Sequence, residues 1–177
     1  MQTILLKQYH IAFILSLLVS SVISHIYYIV KKHHEPACAW DEVLVHLPFS
    51  LWHGWATVLV VLSAFTAFGV DASRYHAGIW TKVFVFLALF FLESTATAYA
   101  FSSPEGDLPA SVVIAWYLWA VFIQQITSLF VHWTTLVFAV LSTVLVSKSV
   151  VATVFQIRRG RQAILLDEER EPFAEDD

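Results

Sequence analysis

The apolar positions of this chain come in long unbroken runs, and its polar positions gather in the short breaks between them. A bilayer core of about 30 Å is crossed by roughly 20 helical residues, and each run reaches or approaches that length. Residues 9–30 carry no Asp, Glu, Lys or Arg. A basic and polar loop, 31–45, leads to a second run at 47–70, with Pro48 in its first turn, where a missing N–H is harmless. Residues 79–101 form the third. Ser103, Pro104 and Gly106 then interrupt the chain, and Pro109 sits in the first turn of the fourth.

From Pro109 to Ile157 there is no Gly or Pro. A single helix over that stretch would be about 73 Å long at 1.5 Å per residue, too long for one crossing. The polar cluster Gln124, Gln125, Thr127 and Ser128 is the natural break, giving spans at 109–127 and 130–155. Four spans with a re-entrant or interfacial segment is the alternative division. The pattern therefore predicts an all-α polytopic bundle of about five spanning helices over residues 1–157. It also predicts an acidic, disordered tail at 158–177.

Composition strengthens this reading. The chain is 58% hydrophobic and 14% charged, against roughly 25% charged for a soluble domain. Of its charged residues, 11 lie from Arg158 onward, leaving 13 for residues 1–157. That is too little polar surface to cover a soluble core, so the expected solvent is lipid. The apolar run at 9–30 is too long for a signal-peptide h-region of about 7–15 residues, and is read as a retained span. With five spans, Lys31, Lys32, Arg158, Arg159, Arg161 and Arg170 share one side, and Lys7, Arg74 and Lys82 the other. The positive-inside rule then places the C-terminus in the cytoplasm.

Several chemistries are not expected. No basic stripe of the kind that follows nucleic-acid phosphates is present. A lone Cys38 permits no internal disulfide. His33 and His34 precede it closely, but a zinc site needs about four ordered ligands. No phosphate loop or nucleophile elbow appears. Neither a metal, a cofactor nor an enzymatic activity is expected.

The candidate functional residues are ionisable groups within the spans, which are costly there. Glu93 is about eight residues from the end of its helix, roughly 12 Å deep. His53 and His25, on two other helices, fall at similar depth in the same leaflet. Glu93 accepting hydrogen bonds from His53 or His25 would form a polar site; satisfaction by Ser94, Thr97 or a neighbouring helix is the structural alternative. Trp52, Trp55 and Trp116 lie at related depths and would line an aromatic pocket for a flat hydrophobic ligand. Indoles that merely fill the bundle are the alternative. Ser50 with Gly54, and Ala96 with Ala100, are small-xxx-small pairs that let helices approach closely.

Some of these residues carry a family resemblance. Pro48, Phe49 and Ser50, then Gly54 and Trp55, then Thr57 and Val58 resemble the PFS-x-x-x-GW-x-TV segment of TspO-related, tryptophan-rich membrane proteins. Ala98, Tyr99 and Ala100, and then the stretch from Val113 through Trp116 and Trp119 to Ala120, look like the later helices of that group. Trp133 matches a later Trp. The resemblance covers roughly residues 45–145, and fungal membrane proteins look closer still. The Pro-Pro-Gly-Trp type motif of the family's early helix is absent, so the chain looks like the C-terminal portion of a longer relative. The resemblance implies a tetrapyrrole-like or sterol-like ligand within the membrane.

Three functions follow from this reading: a binder of a small hydrophobic or tetrapyrrole-like ligand, a proton- or ion-coupled transporter component using Glu93, or a structural and assembly subunit. Beyond the lipid bilayer, a second copy of the chain or another membrane protein is the partner class each would use.

Overall fold

The computed structural model describes residues 2–33, 42–71, 78–103 and 106–168. Five α-helices account for most of them: α1 (Gln2–His33), α2 (Leu47–Ala67), α3 (Ile79–Ala100), α4 (Leu108–Gln124) and α5 (Leu129–Glu168). A π-helical turn at Glu42–His46 runs directly into α2. No strand occurs among the described residues. His34, Cys38 and the tail from residue 169 lie outside them.

Four of these helices are long and apolar enough to cross a bilayer, with spans at Gln8–His33, Leu44–Ala67, Ile79–Ala100 and Leu129–Arg159. The fifth, α4, has 17 residues, about 26 Å of helix. The chain leaves helix at Gln125–Ser128, among the polar residues that interrupt the long run without Gly or Pro.

The helix α5 departs from the expected disordered tail. It continues unbroken to Glu168 and is 40 residues long, about 60 Å. Residues 158–168 are mostly Arg, Gln, Ala, Leu, Ile and Glu, good helix formers that extend an existing helix at little cost. Gly160 alone does not outweigh them.

The exterior is apolar, and small hydroxyl residues are buried among the apolar side chains of the interior. Leu18, Val22, Trp80, Leu87 and Val144 are all more than half exposed. Ser111, Thr135, Ser142 and Ser149 are fully buried beside Leu92, Ala96, Ala100, Ile114 and Leu118. Lipid tails give helices no hydrophobic reason to associate, so close packing by small residues and interhelical hydrogen bonds must hold the bundle. Gly54 shows the first device: a Cβ built there would sit 3.0 Å from the Ala110 carbonyl oxygen, so α2 and α4 touch at this glycine. Lys148 shows the second. Its Nζ donates to the Ala100 carbonyl at 2.5 Å and lies 4.5 Å from the Phe101 ring. A cation thus meets the negative end of the α3 dipole.

The helix α1 stands at the edge and packs chiefly on α2, while α5 packs on α4 and α3. In the N-terminal half of α1, Ser16 Oγ and Ser63 Oγ, 2.7 Å apart, tie it to α2. The rest of its polar attachment is concentrated at its Lys31 end.

Candidate functional site

Four helices converge on Asp107 at that end, α3 through the Tyr99 carbonyl, which accepts from the Asp107 N–H at 2.8 Å. The sequence Asp107-Leu108-Pro109 makes Asp107 the N-cap of α4, its Oδ1 accepting from the Ala110 N–H at 3.3 Å. Oδ2 accepts from Tyr27 Oη at 2.5 Å, Lys31 Nζ at 3.1 Å and Ser50 Oγ at 3.0 Å. One carboxylate therefore ties α1, α2 and α4 together. Its side chain is 3% exposed, and that of Lys31 is 32% exposed. Burial pushes the Asp107 carboxyl up, but the Tyr27 hydrogen bond, the Lys31 charge and the Ala110 N–H outweigh it. They hold the group below the usual carboxylate range.

His53 lies one layer deeper. Its Nε2 is 2.8 Å from Ser24 Oγ and its Nδ1 is 2.9 Å from Tyr99 Oη. Ser24 gives its own proton to the Ser20 carbonyl, at 2.8 Å. The tautomer with Nε2 donating to Ser24 and Nδ1 accepting from Tyr99 fits that arrangement and satisfies both nitrogens of a neutral imidazole. The Tyr27 ring stacks on His53 with centroids 4.5 Å apart, and Tyr99 meets His53 edge-on at 5.5 Å. The result is a closed polar hub with every named group partnered. Such a hub positions helices.

The sequence-predicted residues fall differently around it. Of the group Glu93, His53 and His25, the structure brings only His53 into the hub. His25 is exposed, and its neighbour Ser24 makes the contact instead. One residue along a helix is a turn of about 100°, enough to reverse the side it faces. Glu93 lies on the α5 side of α3 and accepts from Ser142 Oγ at 2.6 Å, not from either histidine. Trp52, Trp55 and Trp116 are 54%, 47% and 74% exposed, which puts them on the outside of the bundle. Asp107, Tyr27, Lys31 and Tyr99 were not singled out from sequence. The N-cap pattern before Pro109 was the one local signal for Asp107.

A cavity of about 490 Å³ opens in the other half of the bundle, between α2, α3, α4 and α5. Its wall is apolar: Val61, Leu62 and Phe65 from α2, Val85, Ala88, Leu89 and Leu92 from α3, and Ala120, Val121 and Val131 from α4 and α5. The polar groups are few. Tyr117 and Thr135 lie on the wall, and Asp71, Gln124 and Gln125 stand where α2 and α4 end. A concave, mostly apolar space of roughly 300–1,000 Å³ with a few polar groups is the usual form of a small-molecule site. His53 and Glu93 do not line it. Nothing in the sequence pattern marks it, because its wall is built from the same Val, Leu and Ala that fill the rest of the runs. No group of three or more His, Cys, Asp or Glu able to hold a metal occurs among the described residues.

Comparison with curated proteins and with solved structures gives no match. A family model, that of the TSPO-like proteins, matches residues 3–148. The match takes in α1 as well as the 45–145 region whose motifs resemble TspO, and so reaches from α1 through α4 into the first half of α5. The chain is an integral, multi-pass membrane protein and belongs to the TSPO-like protein family.

Proposed function

We propose that this protein binds a small hydrophobic ligand inside its helix bundle, in the cavity between α2, α3, α4 and α5. The observation that carries this reading is the cavity itself, about 490 Å³ with an apolar wall and few polar groups. Family membership supports it, since a membrane protein with a ligand-binding bundle is what the TSPO-like family suggests. The hub at Asp107 and His53 serves the site indirectly, by fixing α1, α2, α3 and α4 at the far end while the cavity half stays open. Orientation is part of the proposal: the end bearing Lys31, Lys32, Arg158 and Arg159 faces the cytoplasm.

The test is a cavity-filling substitution. Ala88 is partly buried and lines the cavity, so Ala88→Phe places a ring in the space a ligand would occupy. Uncharged apolar probes titrated into purified protein in nanodiscs, sterols among them, should bind saturably to the wild type. They should lose about tenfold or more in affinity with Ala88→Phe, a shift of about 1.4 kcal/mol. Trp116→Ala, on the outer face, should leave affinity unchanged. The reverse pattern, with Trp116→Ala disruptive and Ala88→Phe silent, would move the site to the lipid-facing surface and end this proposal.

A further inference from the structure

Five threonines inside these helices share one habit. The hydroxyls of Thr57, Thr95, Thr97, Thr143 and Thr153 each bond back to the carbonyl four residues earlier, at 2.7–3.1 Å. Thr135 departs from it. Its side chain is fully buried, and its Oγ1 has no hydrogen-bond partner among the described residues. It also lies on the wall of the cavity, facing a lining that is otherwise largely apolar.

A buried hydroxyl without a partner costs roughly 1–3 kcal/mol and calls for an explanation in a native fold. Lipid-solvated helices have no bulk water nearby to supply the missing bond. A threonine in a helix divides between two χ1 wells, about 120° apart, so the Thr135 hydroxyl can be re-aimed without moving the backbone of α5. Among the described residues no Lys, Arg or His lines the space, and the acidic Asp71 is the one formally charged wall residue. An anionic group would thus find no counter-charge, and desolvating it would be costly.

We propose that Thr135 is a specificity-determining residue, and that the ligand is an uncharged apolar molecule carrying a hydroxyl or carbonyl group that hydrogen-bonds to Thr135 Oγ1. Carboxylate-bearing tetrapyrroles are disfavoured by the same wall. This inference rests on the cavity being the binding site, and it adds the chemistry of the ligand's buried end.

Three probes that differ only at one tip test it: 1-pyrenebutanol, 1-butylpyrene and 1-pyrenebutyrate. Each is titrated by energy transfer from the protein's tryptophans, in nanodiscs, against the wild type, Thr135→Val and Thr135→Ser. Comparing variants for the same probe removes its partition into lipid. Thr135→Val should weaken the alcohol about fivefold to tenfold and leave the hydrocarbon unchanged, and Thr135→Ser should restore the alcohol. The butyrate should bind weakest in the wild type and show no dependence on Thr135. Equal binding of the alcohol by the wild type and Thr135→Val, with Ala88→Phe still blocking the hydrocarbon, would overturn the role of Thr135 and leave the cavity reading standing. Failure of all three probes to bind the wild type would overturn both.

Discussion

Replacing Asp107 with alanine is expected to cost this protein about 3 kcal/mol of stability, the low end of the range for breaking a buried charged pair. The low end applies because Lys31, about a third exposed, can reach water once released. Tyr27, Ser50 and the Ala110 N–H cannot do so as readily, and each loses its acceptor. Asp107→Asn keeps an N-cap oxygen but not the charge, and should fall between the wild type and Asp107→Ala. The pH dependence has a definite sign. The folded-state carboxyl lies below its ordinary value, so its contribution is fully present above about pH 3.9, the unfolded value. It is lost as the pH falls through the lower folded value. Unfolding in detergent should therefore show a gap between the wild type and Asp107→Asn at pH 7 that closes below about pH 4. A gap that stays constant with pH would mean that the charge of Asp107 adds nothing.

The second large effect is expected at Gly106, immediately before that cap. Gly106 has φ +79°, and a Cβ there would lie 2.7 Å from Ser149 Oγ and 2.8 Å from the Ala100 carbonyl oxygen. Alanine would meet both the left-handed backbone cost, about 1–2 kcal/mol, and an overpacking cost of about 1–3 kcal/mol. Gly106→Ala should lower stability by roughly 2–5 kcal/mol, because the Ala100 contact is with backbone at the end of α3 and cannot move aside. Adding Ser149→Ala removes the hydroxyl oxygen and should recover part of the loss. A melting temperature for Gly106→Ala within a degree of the wild type would show that α3, α4 and α5 are not held together here in the way these distances require.

These two residues also show what the chain's pattern can and cannot convey. Lipid imposes a length rule on apolar runs, so the number of helices, the break at Gln124–Ser128 and the exclusion of a soluble fold are legible without coordinates. Depth is legible as well: His53 and Glu93 do lie in the half of the bundle nearest the Lys31 end. Azimuth is not. In a soluble helix the polar face reports which side points outward, but here the outer face is apolar and the inner face carries Ser, Thr and Gly. The indoles of Trp52, Trp55 and Trp116 therefore read as interior from sequence and stand on the exterior. Ser24 rather than His25 meets His53, and Ser142 rather than a histidine meets Glu93. The cavity was less legible still, since a void has no residue of its own.

The hub and the cavity divide the work of the bundle. At the Lys31 end, Asp107, Lys31, Tyr27, Ser50, His53, Ser24 and Tyr99 engage one another, which fixes α1, α2, α3 and α4 in register. Toward Gln124 the packing opens, and Thr135 carries an unused hydroxyl. A binding site needs both, a rigid frame and a space the frame does not fill.

The most direct test of the central claim is to find where an apolar ligand touches the chain. A diazirine-bearing hydrophobic probe, photolysed with the protein in nanodiscs and mapped by mass spectrometry, should label α3 around Ala88 and Leu92 and α4 around Ala120 and Val121. Excess unlabelled ligand should suppress that labelling. Labelling confined to Trp52, Trp55 and Trp116, and unaffected by competitor, would contradict a site within the bundle.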